Sequence, residues 1–509
     1  MAVPEPPAPR WVKLLDQSRC IGCHACTTAC KSENEVPVGV TRTYVKSVDV
    51  GVFPQVRRAF QVTRCNQCED APCVAACPTQ AMFRRGDGIV DFDKSVCIGC
   101  KACMAACPYD AIFINPEDNS AEKCNLCAHR LDMGLEPACV TVCPTEAILV
   151  GDLNDPASAV AQVINREPVQ VRRPEKHTRP RVFYKSAHQA TLDPLAARRP
   201  DGGLFAWATQ GRPDPQLITS GHPGLTVSSA AALLSYDVPH HAPWGWRVSL
   251  YTWTKSIAAG GFAVPATLAF AGILPWGNAA VRWAAPVLSL AFLALTGGLL
   301  IADLRHPERF YLIFTRHHWR SWLVRGAFIL GGFGAVTALY LVAALAGLTG
   351  ARQVLAGVAL PLATATAAYT AYLFAQAKAR DLWQSPLLAP LLAVQAALTG
   401  AAAMLPLLAW LAPGRAVTAD EVILAATAAA HLLLVAGEVT LPHVTAHARL
   451  AAEEMSRGKY RRPFGLSLIF IAVAVAAPWI GTLAAPFALA GLLAYEHAYV
   501  QAGQSVPLA

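Results

Sequence analysis

The chain falls into two regions by the rhythm of its apolar positions. Beyond about residue 245 apolar residues run nearly unbroken, at 247–274, 281–302, 322–348, 353–376, 386–411, 420–441, 463–478 and 479–500, with Pro478 marking the last boundary. A helix needs roughly 20 such residues to cross a bilayer, so residues 241–509 are predicted to form an all-α, eight-helix transmembrane domain with both ends on one face. Before residue 165 the apolar residues come in short pairs broken by Gly, Pro and charge, which predicts a small folded domain of another kind. Residues 166–240 carry neither rhythm. From 166 to 199 there are nine Lys or Arg against three acids, with Pro174, Pro180 and Pro194 opposing long helices, so this stretch reads as an irregular basic linker.

Composition sharpens the division. All 16 cysteines lie between Cys20 and Cys143, in four groups of four. Cys20, Cys23, Cys26, Cys30 and Cys97, Cys100, Cys103, Cys107 follow the ferredoxin run C-x2-C-x2-C-x3-C, while Cys65, Cys68, Cys73, Cys77 and Cys124, Cys127, Cys139, Cys143 stretch its middle. In such a run three thiolates wrap one [4Fe–4S] cluster and the fourth reaches the neighbouring one, so four clusters are expected. Cys77-Pro78, Cys107-Pro108 and Cys143-Pro144 are each followed by an apolar pair. This repeat predicts an α+β, ferredoxin-like N-terminal domain over 1–165 built from two pseudo-symmetric modules.

Other cysteine chemistries fit less well. Zinc ribbons use C-x2-C pairs but do not repeat this run, and disulfides need an oxidising compartment, whereas Met1 to Gln17 is Pro-rich and has no apolar core of an export signal. Cys20-Ile21-Gly22-Cys23-His24 matches a c-type haem motif only by sitting inside a complete cluster run. Nor is a b-type haem expected, because His431 is the one histidine deep in an apolar stretch.

The net charge of +8 and mean hydropathy of +0.36 describe a basic membrane protein. A basic strap beside a membrane domain points to anionic lipid or a partner subunit, not to nucleic acid. Eight helices would place Arg305, Arg309, Arg316, Arg320, Lys378, Arg380, Arg449, Arg457, Lys459, Arg461 and Arg462 on the side of the cysteine domain, against Arg282, Arg352 and Arg415 opposite. Positive loops stay inside, so a multi-pass protein of the inner membrane with its cluster domain on the cytoplasmic face is expected.

Titratable groups in or beside apolar helices point to function because they are costly there. His431 and Glu438 lie seven residues apart on one helix face and are candidates for a proton path. His240, His241 and Trp244 lead into the first helix and Tyr369 lies near the end of the fourth; such groups at a membrane surface suit a quinone, which needs hydrogen bonds and two protons. Asp303 and Arg305 close the second helix on the same face and complete this candidate quinone site.

The cysteine groups resemble the electron-transfer subunit of the dimethyl sulfoxide and polysulfide reductase family. The apolar half resembles the NrfD-type quinol-interacting membrane subunit in Asp303-Leu304-Arg305-His306-Pro307, Ser321-Trp322-Leu323-Val324-Arg325-Gly326, Tyr369-Thr370-Ala371 and Leu382-Trp383-Gln384-Ser385-Pro386. Two departures stand out: the two subunits are fused, and Arg305 occupies a position that is usually glycine. The resemblance implies clusters held by Cys20, Cys23, Cys26 and Cys143; by Cys30, Cys124, Cys127 and Cys139; by Cys65, Cys68, Cys73 and Cys107; and by Cys77, Cys97, Cys100 and Cys103. It also implies electron transfer and membrane anchoring for a separate molybdopterin-type catalytic subunit, with menaquinone or ubiquinone as the membrane substrate. A redox-driven ion-translocating module is the alternative.

Overall fold

The computed structural model describes residues 8–52, 54–199 and 232–509; residues 200–231 of the expected linker lie outside them. The N-terminal part is α+β. Strands β1 (Trp11–Asp16), β2 (Thr43–Val52), β3 (Gln55–Arg64), β4 (Met82–Arg84), β5 (Val90–Phe92), β6 (Phe113–Ile114), β7 (Ala121–Glu122), β8 (Ile148–Asp152), β9 (Val169–Gln170), β10 (Val182–Lys185) and β11 (Ala232–Tyr236) frame short helices α1 (Ala25–Glu33), α2 (Pro72–Ala76), α3 (Ala102–Ala106) and α4 (Ala138–Thr141). One sheet runs β8-β1-β10-β9 and another β11-β2-β3, while β4-β5 and β6-β7 form two small hairpins.

The stretch expected to be an irregular linker is instead partly woven into this domain. β10 pairs in parallel with β1, and β11 pairs antiparallel with β2. The pattern Val182-Phe183-Tyr184-Lys185 buries Val182 and Tyr184 completely, which is the alternation a half-buried strand requires. Its cations are also spent internally: Arg179 on Asp70 at 2.6 Å, Arg181 on Glu69 at 3.2 Å and Lys185 on Glu167 at 2.7 Å. Those three therefore pair with the chain's own acids and not with lipid.

The second part is helical: α5 (Trp246–Phe270), α6 (Ala285–Ala302), α7 (Trp322–Leu345), α8 (Thr349–Ala375), α9 (Leu388–Leu411), α10 (Arg415–Thr440), α11 (Arg461–Val475) and α12 (Ala484–Ala502). Among the described residues six helical spans are long and apolar enough to cross a membrane: Ala280–Ala302, Trp322–Leu345, Thr349–Ala375, Leu388–Leu411, Arg415–Thr440 and Ala477–Ala502. α5 is long enough but diluted by Arg247, Lys255 and hydroxyl side chains, and α11 has only 15 residues. α5 and α9 touch backbone to backbone, since a Cβ on Gly260 would fall 1.8 Å from the Ala396 carbonyl oxygen.

Candidate functional site

The cysteines sit on loops whose backbone is bent in the same way four times. The residue before the second cysteine of each group has positive φ: Gly22 (70°), Gln67 (46°), Gly99 (67°) and Leu126 (60°). Gly22 and Gly99 also have no room for a side chain, as a Cβ would fall 2.2 Å from the Phe60 ring and 2.4 Å from the Arg305 Cβ.

The fold brings together cysteines distant in sequence. Cys20, Cys23, Cys26 and Cys143 line one small cavity, and Cys77, Cys97, Cys100 and Cys103 line another. Cys30 has Cys124, Cys139 and Cys127 for neighbours; burial, with those thiols, pushes its own thiol up to about 12. Cys68 and Cys73 neighbour Cys65 and Cys107. Buried thiols of this kind ionise only when a cation replaces the proton, so the donor sets fit a metal-sulfur group. Cys26 neighbours Cys139, Cys65 neighbours Cys124, and Cys103 neighbours Cys73, which strings the four sets into a line. Cys23, at one end of it, is exposed.

The opposite end rests on the helical domain. Backbone N–H groups of Arg305 and His306 donate to the Gly99 and Ile98 carbonyls, at 3.4 and 3.2 Å. Arg309 donates to the Lys94 and Cys97 carbonyls at 3.0 Å, and the Ser321 hydroxyl donates to the Ala76 carbonyl at 2.8 Å. The Trp244 indole N–H donates to the Cys100 carbonyl at 3.3 Å, and its ring stacks on Phe374 and Trp383. Arg305, where glycine was expected, thus lies against Gly99 in the facing loop.

An apolar cavity of about 490 Å³ opens beside this junction, lined by Cys100, Trp244, Tyr251, Asp303 and Tyr369 together with apolar side chains of α6 and α7. A second, more polar cavity of about 410 Å³ holds Tyr44, Lys101, Asp110, His240, His241 and Arg305. The six residues expected at one quinone site are therefore divided: Trp244, Asp303 and Tyr369 line the first cavity, and His240, His241 and Arg305 the second. Asp303 pairs with Lys101 at 3.0 Å, so this ion pair stands between the two.

His431 is fully buried, has no hydrogen-bond partner among the described residues and meets Tyr495 edge-on at 4.8 Å; Glu438 accepts from the Ser385 hydroxyl at 2.7 Å. Neither lines the apolar cavity. Sequence reading missed Lys255, whose ammonium donates to the Ala367 carbonyl and the Thr370 hydroxyl at 2.7 Å and sits 5.1 Å from the Tyr369 ring centre. Its signal was a single lysine inside an apolar run.

His240 lies between Asp110, at 2.6 Å, and Asp237, at 3.1 Å. Burial lowers its pKa, but the two carboxylates outweigh burial and raise it to about 9. A raised cationic pKa stabilises the fold fully below the ordinary value of 6.5, and that contribution is lost as pH rises through about 9. Thermal unfolding followed across this range should show wild type and His240→Gln differing at neutral pH and converging above it; a pH-independent difference would contradict the pairing.

Comparison with known proteins now decides the class. Residues 236–507 match the family described as polysulphide reductase, NrfD, residues 56–153 match a 4Fe-4S dicluster domain, and residues 11–32 a 4Fe-4S binding domain. The chain belongs to the polysulphide reductase NrfD family. Its N-terminal domain is similar to a tetrathionate reductase subunit of Salmonella typhimurium, 44% identical over 196 residues, which cover 38% of this chain and 78% of that protein. It is also similar to a polysulfide reductase polypeptide of Wolinella succinogenes, 41% identical over 179 residues (35% and 94%), and to the arsenate respiratory reductase iron-sulfur subunit ArrB of a Shewanella species, 37% identical over 220 residues (34% and 94%). This NrfD-family chain is accordingly an iron-sulfur electron-transfer subunit fused to its multi-pass membrane anchor.

Proposed function

We propose that the chain carries electrons between a membrane quinone, menaquinone or ubiquinone, and a separate molybdopterin-type catalytic subunit. The observation that carries this reading is the apolar cavity with Cys100 in its wall: a quinone seated there lies against one cysteine quartet, while the line of quartets ends at exposed Cys23. Four [4Fe–4S] clusters, held by the cross-paired cysteines named above, would supply one-electron carriers along that line. Trp244, Asp303 and Tyr369 hold the quinone, and His240, His241 and Arg305 in the polar cavity connect it to water and protons. The fourfold repeat of left-handed loop residues supports two pseudo-symmetric modules in the domain up to about residue 165. α5 and α11 complete eight crossings in a membrane domain beginning near residue 241, with residues 166–240 tying the two domains together.

The cationic loops on the cluster-domain side support the inner membrane with that domain in the cytoplasm. Isolated from membranes with its partner, the chain should hold about sixteen iron atoms, reducible by quinol. Stoichiometric zinc with little iron would refute the reading. Cysteines introduced near Arg415 and near Arg457 and labelled in intact cells decide orientation, since outside access near Arg457 reverses it.

A second reading, redox-driven ion translocation, is favoured by one observation. Asp420, His431 and Glu438 are all buried along α10, and the first two have no hydrogen-bond partner among the described residues. Quinol-driven proton release that disappears in His431→Ala would favour it over simple quinone exchange.

A further inference from the structure

Two cations are buried in the cluster domain with nothing but a thiol to answer them. Lys13 on β1 and Arg64 at the end of β3 are each 1% exposed. The Arg64 guanidinium donates to Cys139 Sγ at 3.1 Å through Nη1, and its Nε and Nη2 have no hydrogen-bond partner among the described residues. The Lys13 ammonium donates to the same sulfur at 3.4 Å. Neither forms an ion pair with a carboxylate of the described residues. The acids on this side are engaged elsewhere, Glu33 with His129 and Arg130, and Glu122 with Arg42 and Lys94. Burying a charge without a partner is strongly unfavourable, so the arrangement calls for an anion at Cys139 larger than one thiol can provide.

The other quartets are served differently. Cys77 and Cys97 accept backbone N–H groups of Met82 and Ala121, both at 3.4 Å, and Cys143 accepts that of Ala147 at 3.3 Å. Lys123 lies beside Cys65 and Cys73, and Lys13 also reaches Cys65 by charge, but the Lys123 ammonium donates to the Val90 and Cys124 carbonyls and the Lys13 ammonium to Cys139, so neither donates to a sulfur of that quartet. Among the described residues no cysteine besides Cys139 accepts a hydrogen bond from a charged side chain. Asn34 adds an amide donor 3.7 Å from both Cys30 and Cys127, members of the same quartet.

Accepting an electron adds one negative charge to a cluster and its thiolates, and local charge, hydrogen bonds to sulfur and solvent exposure set how readily that happens. Water can stabilise the added charge at exposed Cys23, and backbone dipoles do so at Cys77 and Cys97, but neither matches two full charges in contact with the sulfur at low effective dielectric. We infer that Arg64 and Lys13 make the cluster on Cys30, Cys124, Cys127 and Cys139 the most readily reduced of the four. It then acts as an electron reservoir one step inside the exposed end of the line, holding an electron ready for the catalytic partner. This inference rests on the four-cluster reading above.

The test is a redox titration of the full-length protein followed by electron paramagnetic resonance, with iron content measured on every sample. In wild type one signal develops first; in Arg64→Gln and in Lys13→Gln that signal should move to lower potential by more than any other, and Arg64→Lys should restore most of the shift. Unmoved signals at full iron content, or movement of a later signal only, overturn the inference. If Arg64→Gln loses iron, Lys13→Gln and Arg64→Lys at full iron decide by the same criterion. Wild type lacking the iron of four clusters would instead defeat the underlying reading, and the iron assay reports that separately.

Discussion

Cys77→Ser is expected to disconnect the quinone from the rest of the chain. Cys77 shares a small cavity with Cys97, Cys100 and Cys103, and Cys100 also lines the apolar cavity of about 490 Å³. Any electron leaving a quinone there must pass this quartet first, and tunnelling rates fall exponentially with distance. The variant should lose about four of its iron atoms, and quinol should reduce the remaining clusters orders of magnitude more slowly while dithionite still reduces them. Its fold should survive, because Ser321 and His318 grip this segment through the carbonyls of Ala76, Cys77 and Pro78, not through the sulfur. Rapid quinol reduction in that variant would mean that electrons enter elsewhere.

Tyr369→Phe is expected to give the next largest effect. The phenol lines the apolar cavity on the cluster side, and the substitution keeps the ring while deleting the group able to hydrogen-bond a quinone oxygen and pass its proton. Loss of a positioned proton donor typically costs on the order of 10² in rate. Iron content and dithionite reduction should be unchanged. Gly326→Ala reaches the same tyrosine sterically: a Cβ there would lie 2.3 Å from Cε2 of Tyr369, so the ring must move. Stopped-flow reduction by quinol measures both, and wild-type rates in Tyr369→Phe, His240→Ala and His241→Ala together would remove the site from this junction.

Cluster chemistry and membrane insertion were legible in the linear chain for a physical reason. A ferredoxin run brings cysteines two or three residues apart into one loop, and a bilayer requires about 20 apolar residues in a row, so both leave local patterns. What those patterns cannot carry is which distant groups share a space. Lys13 and Arg64 look like ordinary strand cations until β1 and β3 bring both onto Cys139. Arg179, Arg181 and Lys185 read as a loose basic strap, yet their acids wait at Asp70, Glu69 and Glu167, and β10 closes a sheet with β1. His240 and Trp244 are four residues apart on the approach to α5 but line different cavities. By itself the sequence determined the kind of chemistry and the two-part architecture, since covalent spacing and hydropathy are local properties. Only the tertiary structure decided the order of the quartets, the division of the six candidate quinone residues between two cavities and the cations assigned to one sulfur, because burial and pairing of charge depend on contacts that no local spacing encodes.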